Sequence, residues 1–222
     1  GAGKAGMIID SAAVDYISSK NRVYSECFLK ESRPIVLYIG RLAHHKGILE
    51  LLEAIRILRD NSLDLYLIIV GCGLPDASMD SKLKKHAVRL DLGDTVHFTG
   101  CFLETDVMIQ YMTVADVCAF PSKHEGFGFG ALEAMAVGCR VLVGPGYSPD
   151  VVASDTGTCI RVTDSAPCHL AEGLELALDK KYMPEMSQKA KEFVADKRNW
   201  KLTGVQTLGL YHKVGNAGKI DD

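Results

Sequence analysis

The chain has 222 residues, of which 47% are hydrophobic and 24% are charged, a composition that is ordinary for a globular protein. Its formal net charge is −3 and no cluster of lysine and arginine is visible, which argues against nucleic acid as a main partner. No apolar run reaches the roughly 18 residues that a membrane-spanning helix needs, and no signal peptide is visible.

The cysteines indicate a reducing compartment, and we expect a cytoplasmic location without disulfides or zinc. They are odd in number and none has C-x-x-C spacing: Cys27, Cys72, Cys101, Cys118, Cys139, Cys159 and Cys168. Most lie in apolar segments, where cysteine acts as a small hydrophobic residue. No H-E-x-x-H motif or carboxylate–histidine cluster is present, so no metal site is expected.

Residues 1–33 carry no clear structural pattern. We interpret them as a linker, as the remnant of a preceding lobe, or as residues added for expression. The pair Gly3-Lys4 is reminiscent of a P-loop, but no strand precedes it and Ala5 replaces the required Ser or Thr.

From residue 34 onward, apolar strands alternate with amphipathic helices. Strands are predicted at 35–39, 65–70, 96–99, 117–120, 140–143 and 159–162. Helices are predicted at 47–59, 81–90, 104–113, 129–137, 166–178, 184–195 and 199–214. Strands that are apolar throughout and alternate with helices form a parallel sheet covered on both faces. We therefore predict an α/β, doubly wound, Rossmann-like domain over residues 34–180, followed by C-terminal helices over 181–222.

The loops that follow the strands carry the polar and glycine-rich motifs. Ligands of doubly wound domains bind beyond the carboxyl ends of the strands, so we expect these loops to converge on one crevice. Arg41 and Lys46 lie on the first loop. An arginine fork and a mobile lysine five residues apart suit an anion such as a diphosphate.

The loop before the predicted helix at 129–137 is the most informative segment. Glu125 and Glu133 lie eight positions apart and flank three glycines and two phenylalanines: Gly126, Gly128, Gly130, Phe127 and Phe129. A helix that starts after such a loop offers unpaired amides and the positive end of its dipole to a phosphate.

Each acid and aromatic residue of this loop has its own expectation. Glu133 is expected in the first turn of its helix, where its carboxylate could accept both hydroxyl protons of a ribose. Glu125 would face the group beyond the phosphates. Phe127 and Phe129, each taken singly, are expected in the core.

Taken in order, these motifs resemble the donor-binding domain of the retaining glycosyltransferases of group 1, or family 4, which have the GT-B fold. The motifs are Gly40-Arg41-Leu42…Lys46-Gly47, Ile69-Val70-Gly71-x-Gly73, Val96-x-Phe98-x-Gly100 and Pro121-Ser122…Glu125-Gly126-Phe127-Gly128…Leu132-Glu133-Ala134-Met135-Ala136-x-Gly138. The ordered set is specific and covers about residues 34–178.

The resemblance implies a UDP-, GDP- or ADP-sugar as substrate, with no further cofactor and no metal. Arg41 and Lys46 would hold the diphosphate with the amides of 128–130, Glu133 the ribose and Glu125 the transferred sugar. The sugar would move to an acceptor hydroxyl with retention, and Glu125, Arg41 and Lys46 would be the catalytic residues. On this assignment, Glu125→Gln weakens the sugar-bearing donor and hardly changes the bare nucleotide.

The resemblance also implies a wider donor-binding set, in which the loop from Gly100 to Phe102 lines the base. The expected donor-binding residues are Gly40, Arg41, Lys46, Gly100, Cys101, Phe102, Glu125, Gly126, Phe127, Gly128, Phe129, Gly130 and Glu133.

The chain departs from the family in two ways. Many members carry a Gly-Gly-x-Pro-Glu loop where this chain reads Gly146-Tyr147-Ser148-Pro149-Asp150. The family has two Rossmann-like lobes and only one is predicted here. We therefore expect this chain to be inactive alone, with the acceptor site, and any peripheral membrane contact, on the missing lobe. The C-terminal helices over 181–222 would pack back toward that lobe.

Other functions stay open from the sequence. A GT-B-like epimerase or phosphorylase, or a domain that only binds, would carry similar motifs. A dinucleotide dehydrogenase is less favoured, because no G-x-G-x-x-G motif opens a helix and no acidic residue follows at the required spacing.

Overall fold

A computed structural model describes residues 33–73, 78–101, 103–179, 181 and 183–197, together with positions 205 and 208. The predicted linker therefore lies almost wholly outside the described residues. The same is true of Phe102 and of most of the helix predicted at 199–214.

Six parallel strands form one sheet, which confirms the predicted α/β, doubly wound fold. The strands are β1 (Ile35–Ile39), β2 (Tyr66–Val70), β3 (Val96–Phe98), β4 (Val117–Phe120), β5 (Arg140–Val143) and β6 (Ile160–Arg161). Their order is β3-β2-β1-β4-β5-β6, with Val36 opposite Leu67 on one side and Val117 on the other. The order reverses between β1 and β4, and this switch point is where such sheets bind ligands.

Seven helices in the described ranges connect and cover these strands. They are α1 (Ile48–Asp60), α2 (Ser78–Arg89), α3 (Thr105–Val114), α4 (Phe129–Val137), α5 (Pro149–Val152), α6 (Pro167–Leu178) and α7 (Met183–Lys197). Short 3₁₀ turns occur at His44–Lys46 and Ser154–Thr156. The ends of the predicted helices agree within three residues, whereas α5 and the two turns were missed because they are too short to show a period.

The sheet separates two hydrophobic cores, because successive side chains of a strand point to opposite faces. On one face, Val36 and Tyr38 of β1 pack with buried residues of α1, α2 and α6. On the other face, Ile35 and Leu37 pack with α3, α4 and α7. Apolar residues on both faces explain why the strands read as continuous hydrophobic runs.

Helix α1 buries one face, as the predicted amphipathic pattern requires. Its buried residues are Ile48, Leu51, Leu52, Ala54, Ile55 and Leu58. Each fully buried aliphatic side chain of this kind contributes about 1.5–3 kcal/mol relative to an exposed one. This face fixes α1 to the sheet, and α1 in turn fixes the loop that precedes it.

Helix α7 packs on the domain itself, since Ala190 and Val194 are buried in the same core as α4. The prediction that the segment 181–222 faces another lobe stays a prediction.

Three cysteines behave as the sequence predicted. Cys118, Cys139 and Cys159 are buried among apolar side chains, whereas Cys101 and Cys168 are exposed. None of the helices in the described ranges is both long and apolar enough to cross a membrane. The predicted cytoplasmic location stays a prediction.

Candidate functional site

The loops at the carboxyl ends of β1, β2 and β4 are joined to one another by backbone hydrogen bonds. The bonds run from Gly40 N–H to the Val70 carbonyl at 3.0 Å, from Leu42 N–H to the Cys72 carbonyl at 3.1 Å, and from Lys123 N–H to the His45 carbonyl at 2.8 Å. These bonds bring the loop of residues 40–47 and the loop of residues 121–128 together at the switch point of the sheet.

Gly47 allows these two loops to approach so closely. Its φ is +71°, and a Cβ added there would lie 2.1 Å from the carbonyl oxygen of Pro121. A side chain at this position is excluded both by the left-handed backbone and by the backbone of the neighbouring loop. The Gly47 that follows Lys46 therefore determines where Lys46 lies relative to β4.

Lys46 and Glu125 form an ion pair across the two loops. The Lys46 Nζ lies 2.7 Å from the Glu125 Oε2, and the side chains are 16% and 17% exposed. The buried Ser122 hydroxyl donates to the same Glu125 oxygen at 3.2 Å. Two of the three residues predicted to be catalytic are therefore in direct contact.

Two buried tyrosines interact with the Glu125 carboxylate. Tyr147 is 3% exposed and Tyr38 is 1% exposed. Burial raises the pKa of Tyr147, and the charge of Glu125 and a hydrogen bond with it raise this pKa further. The pKa of Tyr38 is also raised by burial and by Glu125. Both phenols therefore keep their protons beside the carboxylate.

The first loop also carries a concentration of positive charge. The Arg41 side chain is exposed, and its carbonyl accepts a hydrogen bond from the Tyr38 hydroxyl at 2.8 Å. The pKa of His45 is lowered by burial and then by the charges of Lys46 and Arg41. Both cations thus act on the same imidazole, which indicates that Arg41 and Lys46 lie on the same side of the crevice.

The amino end of α4 follows the Glu125 loop. Gly128 is the N-cap residue of α4, with φ +85°, and its carbonyl accepts from the amides of Ala131 at 3.1 Å and Leu132 at 3.4 Å. The amides of residues 128–130 precede these bonds, at the positive end of the helix dipole. Lys46 therefore lies on the side of a helix terminus that itself favours anions, because its partner Glu125 interacts with Tyr147 and the Tyr147 ring lies against Gly128, the N-cap of α4.

The position expected for Glu133 was wrong in one respect. It is the fifth residue of α4, and no acidic residue lies in the first turn. The start of α4 at Phe129 was predicted correctly, but a helical turn holds 3.6 residues, so the fifth residue lies in the second turn. Burial raises its pKa to about 7.

The core placement expected for the two phenylalanines was also wrong. Phe127 is 42% exposed and Phe129 is 39% exposed, and their ring centroids are 4.7 Å apart. Phe129 and Glu133 are four residues apart and thus share one face of α4. The core on this side is already filled by Ala131, Leu132 and Met135. The aromatic pair forms part of the accessible rim instead.

The remaining predicted residues lie on other parts of the loops. Gly40 is partly buried next to Tyr38, and Gly126 is exposed with open space around it. A Cβ at Gly130 would lie 3.0 Å from the ring of Phe120. The role of these three residues in donor binding stays a prediction.

The loop after β3 is joined to the loop after β2. Gly71 N–H donates to the Thr99 hydroxyl at 3.3 Å, and this hydroxyl donates to the Cys101 carbonyl at 3.0 Å. Gly100 and Cys101 are exposed. They therefore border the crevice on the β2 side, whereas Phe102 lies outside the described residues.

Within the described ranges, no group of three or more His, Cys, Asp and Glu side chains could hold a metal ion. The absence of a metal and of any further cofactor stays a prediction for the whole protein.

Sequence reasoning assigned no role to Ser122, Tyr147 and Tyr38. Ser122 belongs to the Pro121-Ser122 motif, and Tyr147 lies where many family members have a glycine, so the sequence could have identified both as candidate site residues. It could not have identified Tyr38, because an aromatic residue in a buried strand is typical of an ordinary core.

Comparisons with known proteins agree with this architecture. The model of the family described as glycosyl transferases group 1 matches residues 24–196. A 2-deoxystreptamine glucosyltransferase from Streptomyces kanamyceticus is 34% identical over 144 residues, which are 64% of this chain and 35% of that protein.

Solved structures show the same fold. A sucrose-phosphate synthase from Thermosynechococcus elongatus is 26% identical, with a TM-score of 0.74 over 91% of this chain and 51% of that one. Anabaena Alr3699/HepE in complex with UDP is 19% identical, with a TM-score of 0.78 over 92% of this chain and 56% of that one.

The chain spans about a third to a half of the length of the curated relatives that it matches. The matches favour a transferase over the binding-only, epimerase and phosphorylase alternatives.

Proposed function

Since this chain belongs to the glycosyl transferases of group 1, we propose that it binds a nucleoside-diphosphate sugar and forms the donor half of a retaining glycosyltransferase. The observation that carries the proposal is the ion pair of Lys46 and Glu125 at 2.7 Å, next to the amino end of α4. A phosphate-binding cation and a carboxylate that can accept sugar hydroxyls thus meet at the switch point of the sheet.

In this proposal the diphosphate lies between Lys46, Arg41 and the amides of residues 128–130. Departure of the diphosphate from the anomeric carbon leaves negative charge on its oxygens and an oxocarbenium-like sugar. Fixed cations and helix-terminal amides stabilise that charge as it develops, which lowers the barrier without a metal. Glu125 would accept hydrogen bonds from the sugar hydroxyls.

The nucleoside would extend from the diphosphate along the crevice. Glu133 would accept hydrogen bonds from the ribose hydroxyls. The loop that contains Gly100 and Cys101 would line the site of the nucleotide base. The Anabaena protein of similar fold was solved with UDP, which makes UDP the first nucleotide to test, followed by GDP and ADP.

Transfer to an acceptor hydroxyl with retention would require the remainder of the protein. The chain covers only 35% of the 2-deoxystreptamine glucosyltransferase that it matches. We therefore propose that this chain alone binds the donor but transfers no sugar.

Calorimetry on this chain tests the proposal, with UDP, GDP, ADP and NAD as separate ligands. At least one nucleoside diphosphate is expected to bind. Lys46→Ala should weaken it about ten- to a hundredfold, because one charge-assisted hydrogen bond contributes roughly 1.5–3 kcal/mol.

Lys123→Ala is the matched control, because Lys123 lies on the facing loop and its side chain is paired with Glu50 instead. It should change the affinity by less than about threefold, as expected for a cation in a partly exposed pair. Binding of NAD without any nucleoside diphosphate, or unchanged affinity in Lys46→Ala, would overturn the proposal.

A further inference from the structure

The Lys46 ammonium is already neutralised by a partner within the protein. Its Nζ lies 2.7 Å from Oε2 of Glu125, and both side chains are largely shielded from solvent. A carboxylate at this distance reduces the positive potential that an incoming diphosphate meets. It also repels the phosphate oxygens, because both groups are anionic. Glu125 and a diphosphate therefore compete for the same cation.

The backbone holds this pair in place. One residue before Lys46, the His45 carbonyl accepts the Lys123 amide of the facing loop at 2.8 Å. Lys123 lies two residues before Glu125, so the same bond joins the loop that carries Glu125 to the loop that carries Lys46. The two side chains consequently face each other from loops that cannot separate without breaking main-chain hydrogen bonds.

The Glu125 carboxylate is also held from below. The Ser122 hydroxyl donates to the oxygen that contacts Lys46, at 3.2 Å, and the Ser122 carbonyl accepts from the Gly146 amide at 2.9 Å. The Gly146 bond anchors the loop that carries the buried Tyr147. Glu125 thus has a fixed position next to Lys46, and moving its carboxylate away would break the Lys46 ion pair and the Ser122 hydrogen bond.

We propose that Glu125 is an internal competitor for Lys46, which selectively weakens the binding of the bare nucleoside diphosphate. This inference rests on the proposed function. A sugar-bearing donor offers hydroxyls to Glu125 and gains contacts that offset the competition. The nucleoside diphosphate left after transfer has no sugar hydroxyls to offer to Glu125. The repulsion between Glu125 and its phosphate oxygens is therefore not offset. Glu125 therefore favours donor over product at one site and promotes product release.

The test is the substitution Glu125→Gln in this chain, which removes the charge and keeps an oxygen that can accept from Ser122. The ligands are UDP, GDP and ADP, and the corresponding UDP-glucose, GDP-mannose and ADP-glucose. By calorimetry, the diphosphate that binds the wild-type chain should bind the variant about three- to tenfold more tightly, the range expected when a cation is released from a partly buried pair. This expectation replaces the nearly unchanged affinity expected from the sequence, because the pairing of Glu125 with Lys46 was not visible there. The matching sugar nucleotide should gain nothing or lose affinity.

A double-mutant cycle identifies Lys46 as the group in competition. In the Lys46→Ala background, Glu125→Gln should give less than half of the gain seen with Lys46 present, because no cation is left to release and only the direct repulsion of the phosphate is relieved. Glu50→Gln is the matched control. It removes one negative charge from the neighbouring Lys123–Glu50 pair and should give less than half of the gain seen with Glu125→Gln.

The outcomes separate this inference from the proposed function. If no nucleoside diphosphate binds the wild-type chain, the proposed function fails and the inference fails with it. If one binds and Lys46→Ala weakens it, but Glu125→Gln does not tighten it, the competition is refuted and the proposed function stands. An equal gain for the sugar nucleotide, or from Glu50→Gln, would also refute the competition, since it would indicate a general effect of charge.

Discussion

The ring of Tyr147 occupies the space that a side chain at Gly128 would need. A Cβ built on Gly128 would lie 2.3 Å from Cε1 of Tyr147, and φ at Gly128 is +85°. Tyr147 is itself 3% exposed and packs in the core with α4. The start of α4 and the loop after β5 therefore pack closely against each other. The contact between Gly128 and Tyr147 also positions the Tyr147 hydroxyl that interacts with Glu125.

This relationship predicts that Gly128→Ala destabilises the fold. The left-handed backbone costs about 1–2 kcal/mol with a Cβ and the overpacking against Tyr147 adds about 1–3 kcal/mol, so a loss of roughly 2–5 kcal/mol is expected. Urea unfolding measures it. Gly126→Ala is the control, because a Cβ there meets nothing within 4 Å. Equal losses in the two variants would show that Tyr147 does not constrain Gly128.

The carboxyl group of Glu133 predicts a stability that depends on pH. Its pKa is raised from 4.5 to about 7 because burial disfavours the charged form. At pH values between 4.5 and about 7, Glu133 keeps its proton in the folded chain and has released it in the unfolded chain. The free energy of unfolding therefore falls as pH rises through this window, and the loss persists above it.

Glu133→Gln removes this loss. At pH 8 the variant should exceed the wild type by an amount on the order of 1–3 kcal/mol, whereas at pH 4 the two should be nearly equal. Chemical unfolding at both pH values gives the comparison. Glu172→Gln, on the exposed side of α6, is the control and should show no such difference between the two pH values. A Glu133→Gln effect of the same size at both pH values would contradict the prediction.

The exposed thiol of Cys101 offers a test of the base-lining loop. A saturating nucleoside diphosphate should slow the alkylation of Cys101 by iodoacetamide severalfold, because the ligand would cover this loop. Cys168 is also exposed, but it lies on α6, which follows β6 at the opposite edge of the sheet from β3. Its alkylation should not change.

Peptide mass spectrometry can follow both thiols in one sample. If alkylation of Cys101 is unaffected while the nucleotide is bound, the base lies elsewhere. If both thiols are slowed equally, the effect is a general stabilisation of the chain and not local cover.

Most of the fold could be predicted from local patterns. Strands β1, β4 and β5 and helix α4 have the predicted bounds, since apolar runs of four or five residues bounded by glycine or proline carry a strong local signal. Helix α5 could not be predicted, because its four residues span little more than one turn and cannot show a repeating pattern. The assignment of Glu133 to the first helical turn failed although the start of α4 at Phe129 was predicted, because the fifth residue of a helix already lies in the second turn.

The sequence by itself determined the parallel sheet, the order of its motifs and the residue types that lie at its carboxyl edge, because these depend on hydrophobic period and on short-range backbone preferences. Only the tertiary structure decided that Lys46 and Glu125, 79 positions apart, pair with each other. It also decided that Ser122 and Tyr147 hold Glu125 in place. Such contacts depend on how loops from different strands pack, which in turn depends on the space left free at Gly47 and Gly128. Local sequence patterns carry no information about that space.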